Sequence, residues 1–188
     1  VVAVLPNTFS SQYFYVLPML ANETTDNQAL QVYSYYKTFP MLSLGDYIEV
    51  LGEVTETSTD TRLKIDDIND IKILDHDYIV IEREIKTDQI NDKIINQLIA
   101  VTGTIISKEG KNIYLQDDAG QAIIYLSQGS DISASSFITK QDYKVIGLAR
   151  QTKNGIKIMP RSNKDIINIK LIEENKAVEP TVLSEKIT

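Results

Sequence analysis

Residues with catalytic chemistry are scarce in this sequence, and they do not form a known catalytic set. The 188 residues contain no cysteine and a single histidine, His76. A serine hydrolase would need His76 as its base, but no Gly-x-Ser-x-Gly sequence stands beside it. The lack of thiols also excludes thiolate metal sites and disulfides. We therefore predict that the chain is not an enzyme, and we interpret His76 as an exposed residue at a domain boundary.

Carboxylates are the other groups that could do chemistry here. Asp66, Asp67 and Asp70 lie close together in the first half, and Asp117-Asp118 precede Gly120 in the second. Such oxygens could bind Ca²⁺, but the EF-hand spacing is absent. The segment 117–120 is better explained as a turn, in which aspartate side chains bond to the backbone and glycine accepts a positive φ. We predict no bound metal and no cofactor.

The charge of the chain is unevenly distributed. Residues 1–88 hold 6 Lys/Arg against 15 Asp/Glu, a balance of −9, whereas residues 89–188 hold 13 against 11, or +2. Strong nonspecific binding to nucleic acid needs a basic surface, so the acidic first half argues against it. No run of about 18 apolar residues occurs, so we predict no membrane insertion within these residues.

Short runs of β-branched and aromatic residues, separated by Gly, Asn, Asp, Ser and Pro, predict an all-β protein. A hydrophobic content of 43% is enough to fill its cores. The predicted strands form two sets of five, at about 1–5, 11–17, 29–37, 46–56 and 61–66, and at about 97–107, 111–116, 121–127, 142–151 and 155–160.

The two sets share an internal repeat with a period of roughly 95 residues. The sequence DYIEVLG at 46–52 is echoed by DYKVIG at 142–147, and IDDINDI at 65–71 is echoed by Asp165-Ile166. This repetition predicts two consecutive five-stranded domains at 1–80 and 97–169. Residues 81–96 would be a linker or short helix, and 170–188 a linker towards a further domain. The opening strand of the first domain looks truncated, since 1–5 is about half as long as 98–106.

Two segments of the second half resemble a known group of domains. The hairpin NIYLQDDAGQAIIYL at 112–126 and the segment YKVIGLARQTKNGIKIMPRSNKDI at 143–166 are similar to the OB-fold domains that accompany nuclease, phosphoesterase and lamin-tail modules in secreted or cell-surface bacterial proteins. The first half fits the group more loosely and departs from it at 66–69. The resemblance implies tandem OB-fold barrels, nucleic-acid binding as the usual role, and an extracellular or cell-surface location.

OB barrels bind single strands on the face around their second and third strands, where aromatic rings stack on bases and cations follow the phosphates. Strand alternation assigns Phe14, Val16 and Val32 to the core, which sends the intervening tyrosines outward. The candidate nucleic-acid-binding residues are Tyr13, Tyr15, Tyr33, Tyr35 and Lys37 in the first half, and Lys111, Tyr114, Tyr125, Arg150, Lys153, Lys157 and Arg161 in the second.

Several functions fit these residues. The leading hypothesis is weak to moderate binding of single-stranded nucleic acid, in particular DNA, led by the second half. The alternative is a structural or protein-binding spacer in a large bacterial surface protein or filament, with self-association or with strand addition completing the short first strand. Carbohydrate binding is a third reading, based only on the aromatic faces. The tyrosines could equally be structural, since cross-strand aromatic pairs stabilise sheets.

Overall fold

The computed structural model describes residues 1–18, 28–57 and 60–170. The first half contains β1 (Val2–Val4), β2 (Tyr13–Val16), β3 (Leu30–Ser34), β4 (Tyr47–Val50), β5 (Glu53–Glu56), β6 (Thr61–Ile65) and β7 (Ile71–Asp75). The second half contains β8 (Arg83–Glu84), β9 (Leu98–Glu109), β10 (Asn112–Gln116), β11 (Gln121–Tyr125), β12 (Asp142–Thr152), β13 (Gly155–Met159) and β14 (Ile166–Asn168).

Within the described ranges, these strands are accompanied by short 3₁₀ turns of three residues each. They lie at Ile68–Asp70, Thr87–Gln89, Asp92–Ile94, Ala134–Ser136 and Asn163–Asp165. The all-β class is therefore confirmed, while the grouping into two five-stranded OB-fold barrels stays a prediction.

The first half forms a five-stranded sheet in the order β1-β2-β3-β6-β5 and a two-stranded sheet of β4 and β7. All pairs are antiparallel except β3 with β6. The prediction of one continuous strand over 46–56 is wrong. The strand breaks at Leu51-Gly52, because β4 pairs with β7 while β5 pairs with β6. Gly52 permits the break, since a Cβ there would lie 2.5 Å from the Lys64 carbonyl oxygen.

The second half repeats this strand order in one larger sheet. Its order is β14-β12-β13-β11-β10-β9-β8, and β12 also pairs with β9. The five strands β9-β10-β11-β13-β12 thus follow the same order as β1-β2-β3-β6-β5, and the parallel pair again joins the third strand to the fifth. In both halves a 3₁₀ turn then leads into a short strand, β7 or β14, that pairs antiparallel with the fourth strand.

Alternation along these strands fills three apolar clusters. The largest lies inside the second half, around Ile113, Leu115, Phe137 and others, and a smaller one lies inside the first half around Phe14 and Val32. The third lies between the halves and combines Ala3, Val4, Tyr15, Leu17 and Ala29 with Leu148 of the second half. The two halves therefore share buried apolar surface.

The segment 81–96, predicted as a solvated linker or short helix, is docked on the second half. Its strand β8 pairs in parallel with β9, and two 3₁₀ turns follow. Thr87 and Ile94 are buried, and Thr87 N–H donates to the Asp117 carboxylate at 2.9 Å. The predicted linker at 170–188 lies, from residue 171 onward, outside the described residues.

Candidate functional site

The candidate site begins on the outer face of the first-half sheet. Tyr13 on β2 lies directly opposite Tyr33 on β3. The Arg62 guanidinium of β6 lies over the Tyr33 ring, 4.0 Å from its centroid. Arg62 is held there by a hydrogen bond from its Nε to the Thr55 hydroxyl at 3.1 Å. All three side chains are half-buried, so part of each ring and of the guanidinium faces solvent.

The same face continues to the boundary between the halves. The Tyr13 and Tyr15 rings meet edge to face with centroids 5.6 Å apart. The Tyr15 ring then meets the Arg150 guanidinium of β12, 5.0 Å from its centroid. Arg150 forms a two-pronged ion pair with the Asp60 carboxylate, with Nη2 to Oδ2 at 2.6 Å. Burial of Tyr15 raises the pKa of its hydroxyl, which therefore stays protonated and donor-capable.

Asn96 completes this polar centre from the connecting segment. Its side chain accepts a hydrogen bond from Arg150 and donates one to Asp60 at 3.1 Å. Its backbone N–H donates to Ala149 at 2.7 Å and its carbonyl accepts from Ala29 at 2.6 Å. Because Ala29 belongs to the first half and Ala149 to the second, Asn96 joins both halves through side chain and backbone.

Beyond Arg150 the face continues across the second half. Arg150 lies opposite Lys157 of β13. The Lys157 ammonium lies 4.9 Å from the centroid of the Tyr125 ring and donates to the Asn112 side-chain oxygen at 2.8 Å. Asn112 and Tyr125 are themselves direct cross-strand partners. Tyr125 and Asn112 are half-buried, whereas Lys157 is only 8% exposed.

These contacts form one continuous row of aromatic and cationic side chains across both halves. We call it the aromatic–cationic row, and its members are Arg62, Tyr33, Tyr13, Tyr15, Arg150, Lys157 and Tyr125. Six of the seven were candidates from the sequence. Its centre is covered by the contact between the halves and Lys157 is buried, whereas the Tyr33 and Tyr125 rings at the two ends, and Arg62, are half-buried and partly accessible.

The prediction that Tyr15 faces solvent is wrong. Tyr15 has no exposed surface. Alternation correctly points it away from the first-half core, but the second half covers the face on which it lies. The predictions that Arg150 and Lys157 are available to a ligand are wrong as well, since these side chains are only 9% and 8% exposed. Arg161 already has protein partners as well. Its Nε and Nη2 donate to the Asp165 carboxylate, and its Nη1 donates to the Ala3 carbonyl at 3.1 Å across the boundary between the halves.

The remaining candidates lie outside the row. Tyr35 is 64% exposed and packs edge to face on Tyr36 just after β3. The Tyr114 hydroxyl donates to Glu109 at 3.1 Å, and that hydrogen bond raises the Tyr114 pKa. Lys37, Lys111 and Lys153 are exposed, and in the described part of the chain none of them lies over a ring of the row.

Arg62, Asp60 and Asn96 are parts of this arrangement that the sequence analysis missed. Arg62 joins Tyr33 only because β6 pairs with β3 in parallel, and Asp60 meets Arg150 across 90 residues of chain. No local pattern marks either pairing. Of the three, only Arg62 could have been predicted from the sequence. Once the third and fifth strands are known to be neighbours, a cation on the same face as Tyr33 is expected.

The carboxylates fit structural roles. Asp117 accepts hydrogen bonds from Ala119 and Gly120 N–H within its turn, as predicted, and from Thr87. Burial opposes ionisation, but the hydrogen bonds from Thr87, Ala119 and Gly120 lower the Asp117 pKa to about 2. Gly120 does not adopt the positive φ predicted for it. Among the described residues no three His, Asp or Glu side chains are grouped to hold a metal ion.

No helix within the described ranges is long and apolar enough to cross a membrane.

No protein-family model and no curated protein matches this chain. Solved structures do. The second OB-fold domain of replication protein A from Methanococcus maripaludis matches with 15% identity and a TM-score of 0.35, over 46% of this chain and 95% of that one. The telomere capping protein Ten1 from Saccharomyces pombe matches with 18% identity and a TM-score of 0.35, over 52% and 93%.

A third match is the S. pombe Stn1–Ten1 complex, with 15% identity and a TM-score of 0.34, over 53% of this chain and 96% of that one. Each match spans about half of this chain. Because these similarities are low, any fold assignment rests on the strand order itself.

Proposed function

We propose that the chain is a non-catalytic module of two OB-fold domains that binds single-stranded nucleic acid at the accessible ends of the aromatic–cationic row. The strand order that both halves share supports the proposed fold, since it is the order expected of a five-stranded Greek-key barrel of the OB type. That shared order and the DYIEVLG and DYKVIG sequences support the proposed two-domain repeat.

The row is the observation that carries the binding proposal. Single-strand sites combine rings on which bases stack with cations that follow the backbone. At one end Tyr33 lies beside Arg62, and at the other Tyr125 lies beside Lys157, at 4.0 and 4.9 Å. The half-buried Arg62 guanidinium, already held against the Tyr33 ring, needs little reorganisation to contact a phosphate while that ring stacks on a base. Lys157 is buried, so its role is to hold the half-buried Tyr125 ring in place.

The charge of the chain limits the affinity. Its net charge is −7, and the half-buried cations at the Tyr33 end of the row are Arg62 and its neighbour Lys64 on β6. One or two phosphate contacts on a single strand give a slope of roughly −0.7 to −1.4 in log K against log salt. Weak to moderate, salt-sensitive binding is therefore expected.

Fluorescence anisotropy with a labelled mixed-sequence 20-mer tests the proposal. The protein should bind the single strand at low salt, more weakly at moderate salt, and should prefer it to the duplex. The double variant Tyr33→Leu/Tyr125→Leu keeps an apolar side chain at each position but removes the aromatic ring on which a base would stack. It should therefore weaken binding. Each lost stack corresponds to about 1–3 kcal/mol, or roughly 5- to 150-fold in Kd.

The matched control is Tyr36→Leu, because Tyr36 is 71% exposed and packs on Tyr35 outside the row. Its affinity should equal that of the parent chain. Absence of binding at low salt, or an unchanged Kd in the double variant, would overturn the proposal.

A specific observation favours a second candidate, a structural or protein-binding spacer. The centre of the row is buried between the halves, with Tyr15, Leu148 and the Arg150–Asp60 pair in contact, so part of the tyrosine face serves to fix the halves together. A chain that binds no oligonucleotide but keeps this packing would be assigned to that class. The extracellular or cell-surface location and the bacterial context remain predictions from the resemblance.

A further inference from the structure

The Tyr125 end of the aromatic–cationic row is bordered by polar side chains of the neighbouring strands. Tyr125 on β11 lies directly opposite Asn112 on β10, and Asn112 lies directly opposite Glu109 on β9. Side chains of direct cross-strand partners project from the same face of a sheet. Tyr125, Asn112 and Glu109 therefore form a line across three strands, in which Tyr125 and Asn112 are half-buried and Glu109 is exposed.

Lys157 determines which atoms of the Asn112 amide stay free. The Lys157 ammonium donates to the Asn112 Oδ1 at 2.8 Å. Because an ammonium has donors and no acceptor, the amide oxygen must face it and the amide nitrogen must point away from it. Within the described ranges the Asn112 Nδ2 has no hydrogen-bond partner. Asn112 thus offers N–H donors to a ligand beside the Tyr125 ring.

Glu109 offers the opposite kind of group. Its Oε2 accepts a hydrogen bond from the Tyr114 hydroxyl at 3.1 Å, which is its one hydrogen bond to the described part of the chain. A carboxylate has about four lone-pair sites, so both oxygens can still accept hydrogen bonds. The contact with Tyr114 restrains the carboxylate, which reduces the entropy lost when a ligand fixes it.

The line therefore presents one donor followed by two acceptors beside a stacking ring. Guanine complements this order, because its Watson–Crick edge carries an acceptor, O6, followed by two donors, N1–H and N2–H. Thymine presents acceptor, donor and acceptor, cytosine one donor and two acceptors, and adenine one donor and one acceptor. The protein groups have the order of cytosine, the natural partner of guanine. In single strands this edge is free to be read.

We propose that the Tyr125 end of the row prefers guanine in single-stranded nucleic acid. The base stacks on Tyr125, the Asn112 Nδ2 donates to O6, and the Glu109 carboxylate accepts from N1–H and N2–H. Asn112 and Glu109 determine the specificity, and Tyr114 is a positioning residue for Glu109. This inference rests on the proposed function and adds the class of base that the site selects.

Fluorescence anisotropy at low salt with a labelled 12-mer of thymidine, and with derivatives that carry one central substituted base, tests the preference. One guanine should tighten binding about 5- to 150-fold, the range for one bidentate contact to a base. The analogue 7-deazaguanine keeps the Watson–Crick edge and should match guanine. Hypoxanthine lacks the 2-amino group and should bind more weakly than guanine, and adenine should give no gain over thymine.

Protein variants assign the preference to its residues. Glu109→Gln should abolish the preference for guanine over thymine, while the thymidine 12-mer still binds because the Tyr125 ring is kept. Tyr114→Phe removes only the hydroxyl that restrains Glu109, and it should reduce the guanine-to-thymine affinity ratio. The matched control is Glu53→Gln, which makes the same change of charge at an exposed residue of β5 and should keep the ratio of the parent chain.

The outcomes separate this inference from the binding proposal. Equal affinity for the guanine and thymine 12-mers, equal affinity for guanine and hypoxanthine, or a guanine preference that persists in Glu109→Gln would overturn it. The binding proposal would survive these results if Tyr33→Leu/Tyr125→Leu still weakened binding of the thymidine 12-mer. If no oligomer binds at low salt, both are overturned.

Discussion

At the scale of single residues, Arg150 has the most consequential environment. It is buried between Tyr15 and Asp60 and is also bonded to Asn96. A buried guanidinium is tolerated only when its charge and its N–H groups are satisfied, as they are here. Arg150 therefore acts as part of the joint between the halves, while the half-buried Arg62 is the cation at the accessible Tyr33 end of the row.

His76 gives the first half a pH-dependent contact. Its Nδ1 lies 2.7 Å from the carboxylate of Asp46, which is buried beneath it. The hydrogen bond to Asp46, together with the charges of Asp75 and Asp77, raises the His76 pKa above its ordinary 6.5. The resulting stability is fully present below about pH 6.5 and is lost as pH rises through the raised pKa.

Thermal unfolding measured from about pH 6 to pH 9 checks this dependence. The parent chain should lose stability over that range, and His76→Gln should lose less, since its side chain does not titrate. Equal slopes for the two proteins would contradict the role of the His76–Asp46 pair.

Residue-level prediction succeeded where strand alternation alone decides the outcome. Phe14 and Val32 are in the core as predicted, and Tyr33 and Tyr125 are partly accessible. Tyr15 obeys the same alternation but is buried, because alternation determines the face of a sheet and not what covers that face. The covering residue, Leu148, is more than 130 positions away in the chain, and no local pattern indicates it.

At the scale of elements, β9 depends on a close approach at Gly103. A Cβ at this position would lie 2.4 Å from the Gln116 carbonyl oxygen, next to the register shift between β9 and β10 at Tyr114/Leu115. Gly103→Ala must therefore displace backbone, and we expect it to destabilise the fold by about 1–3 kcal/mol.

Urea unfolding of Gly103→Ala beside Thr102→Ala provides the check. Thr102 is exposed on the same strand, so its substitution should change stability by no more than about 0.5 kcal/mol. Similar values for both variants would show that the close approach at Gly103 relaxes without cost.

Element prediction was good for long strands and poor for short ones. Every predicted strand overlaps an observed one, but β7, β8 and β14 were missed. These three have two to five residues and pair only with strands distant in the chain or across a turn, so their sequences lack the length that makes alternation recognisable. The repeat did mark β7 and β14, because Asp70-Ile71 and Asp165-Ile166 each end a 3₁₀ turn and begin a strand.

At the scale of the whole molecule, the contact between the halves should make them unfold as one unit. Asp60→Asn leaves the Arg150 charge buried without its partner, a change that costs about 3–5 kcal/mol in comparable buried pairs. Calorimetry should show one transition for the parent chain and two separated transitions for Asp60→Asn. The control is Asp66→Asn, an exposed residue whose pair with Lys64 lies at the surface.

A single unchanged transition in Asp60→Asn would mean that the apolar cluster around Tyr15 and Leu148 holds the halves together without the ion pair. Two transitions in the parent chain would contradict the coupling itself.

Packing of the halves also fixes how a ligand would meet the molecule. Because the joint buries the centre of the row, Tyr33 and Tyr125 are held on one assembly at a constant separation. A single-stranded nucleic acid that contacts both ends would bind more tightly than one that contacts a single end, because the second contact forms within an existing complex. The proposed binding would therefore depend on the joint as well as on the two half-buried rings.

The most direct test is photo-crosslinking of the parent chain to a single-stranded oligonucleotide that carries 5-bromouracil, with the attachment sites read by mass spectrometry. We predict crosslinks at Tyr33 and Tyr125, the two partly accessible rings at the ends of the row, and none at Tyr36, although Tyr36 is the more exposed ring. Crosslinks concentrated at Tyr36 or spread without preference over exposed tyrosines would contradict it.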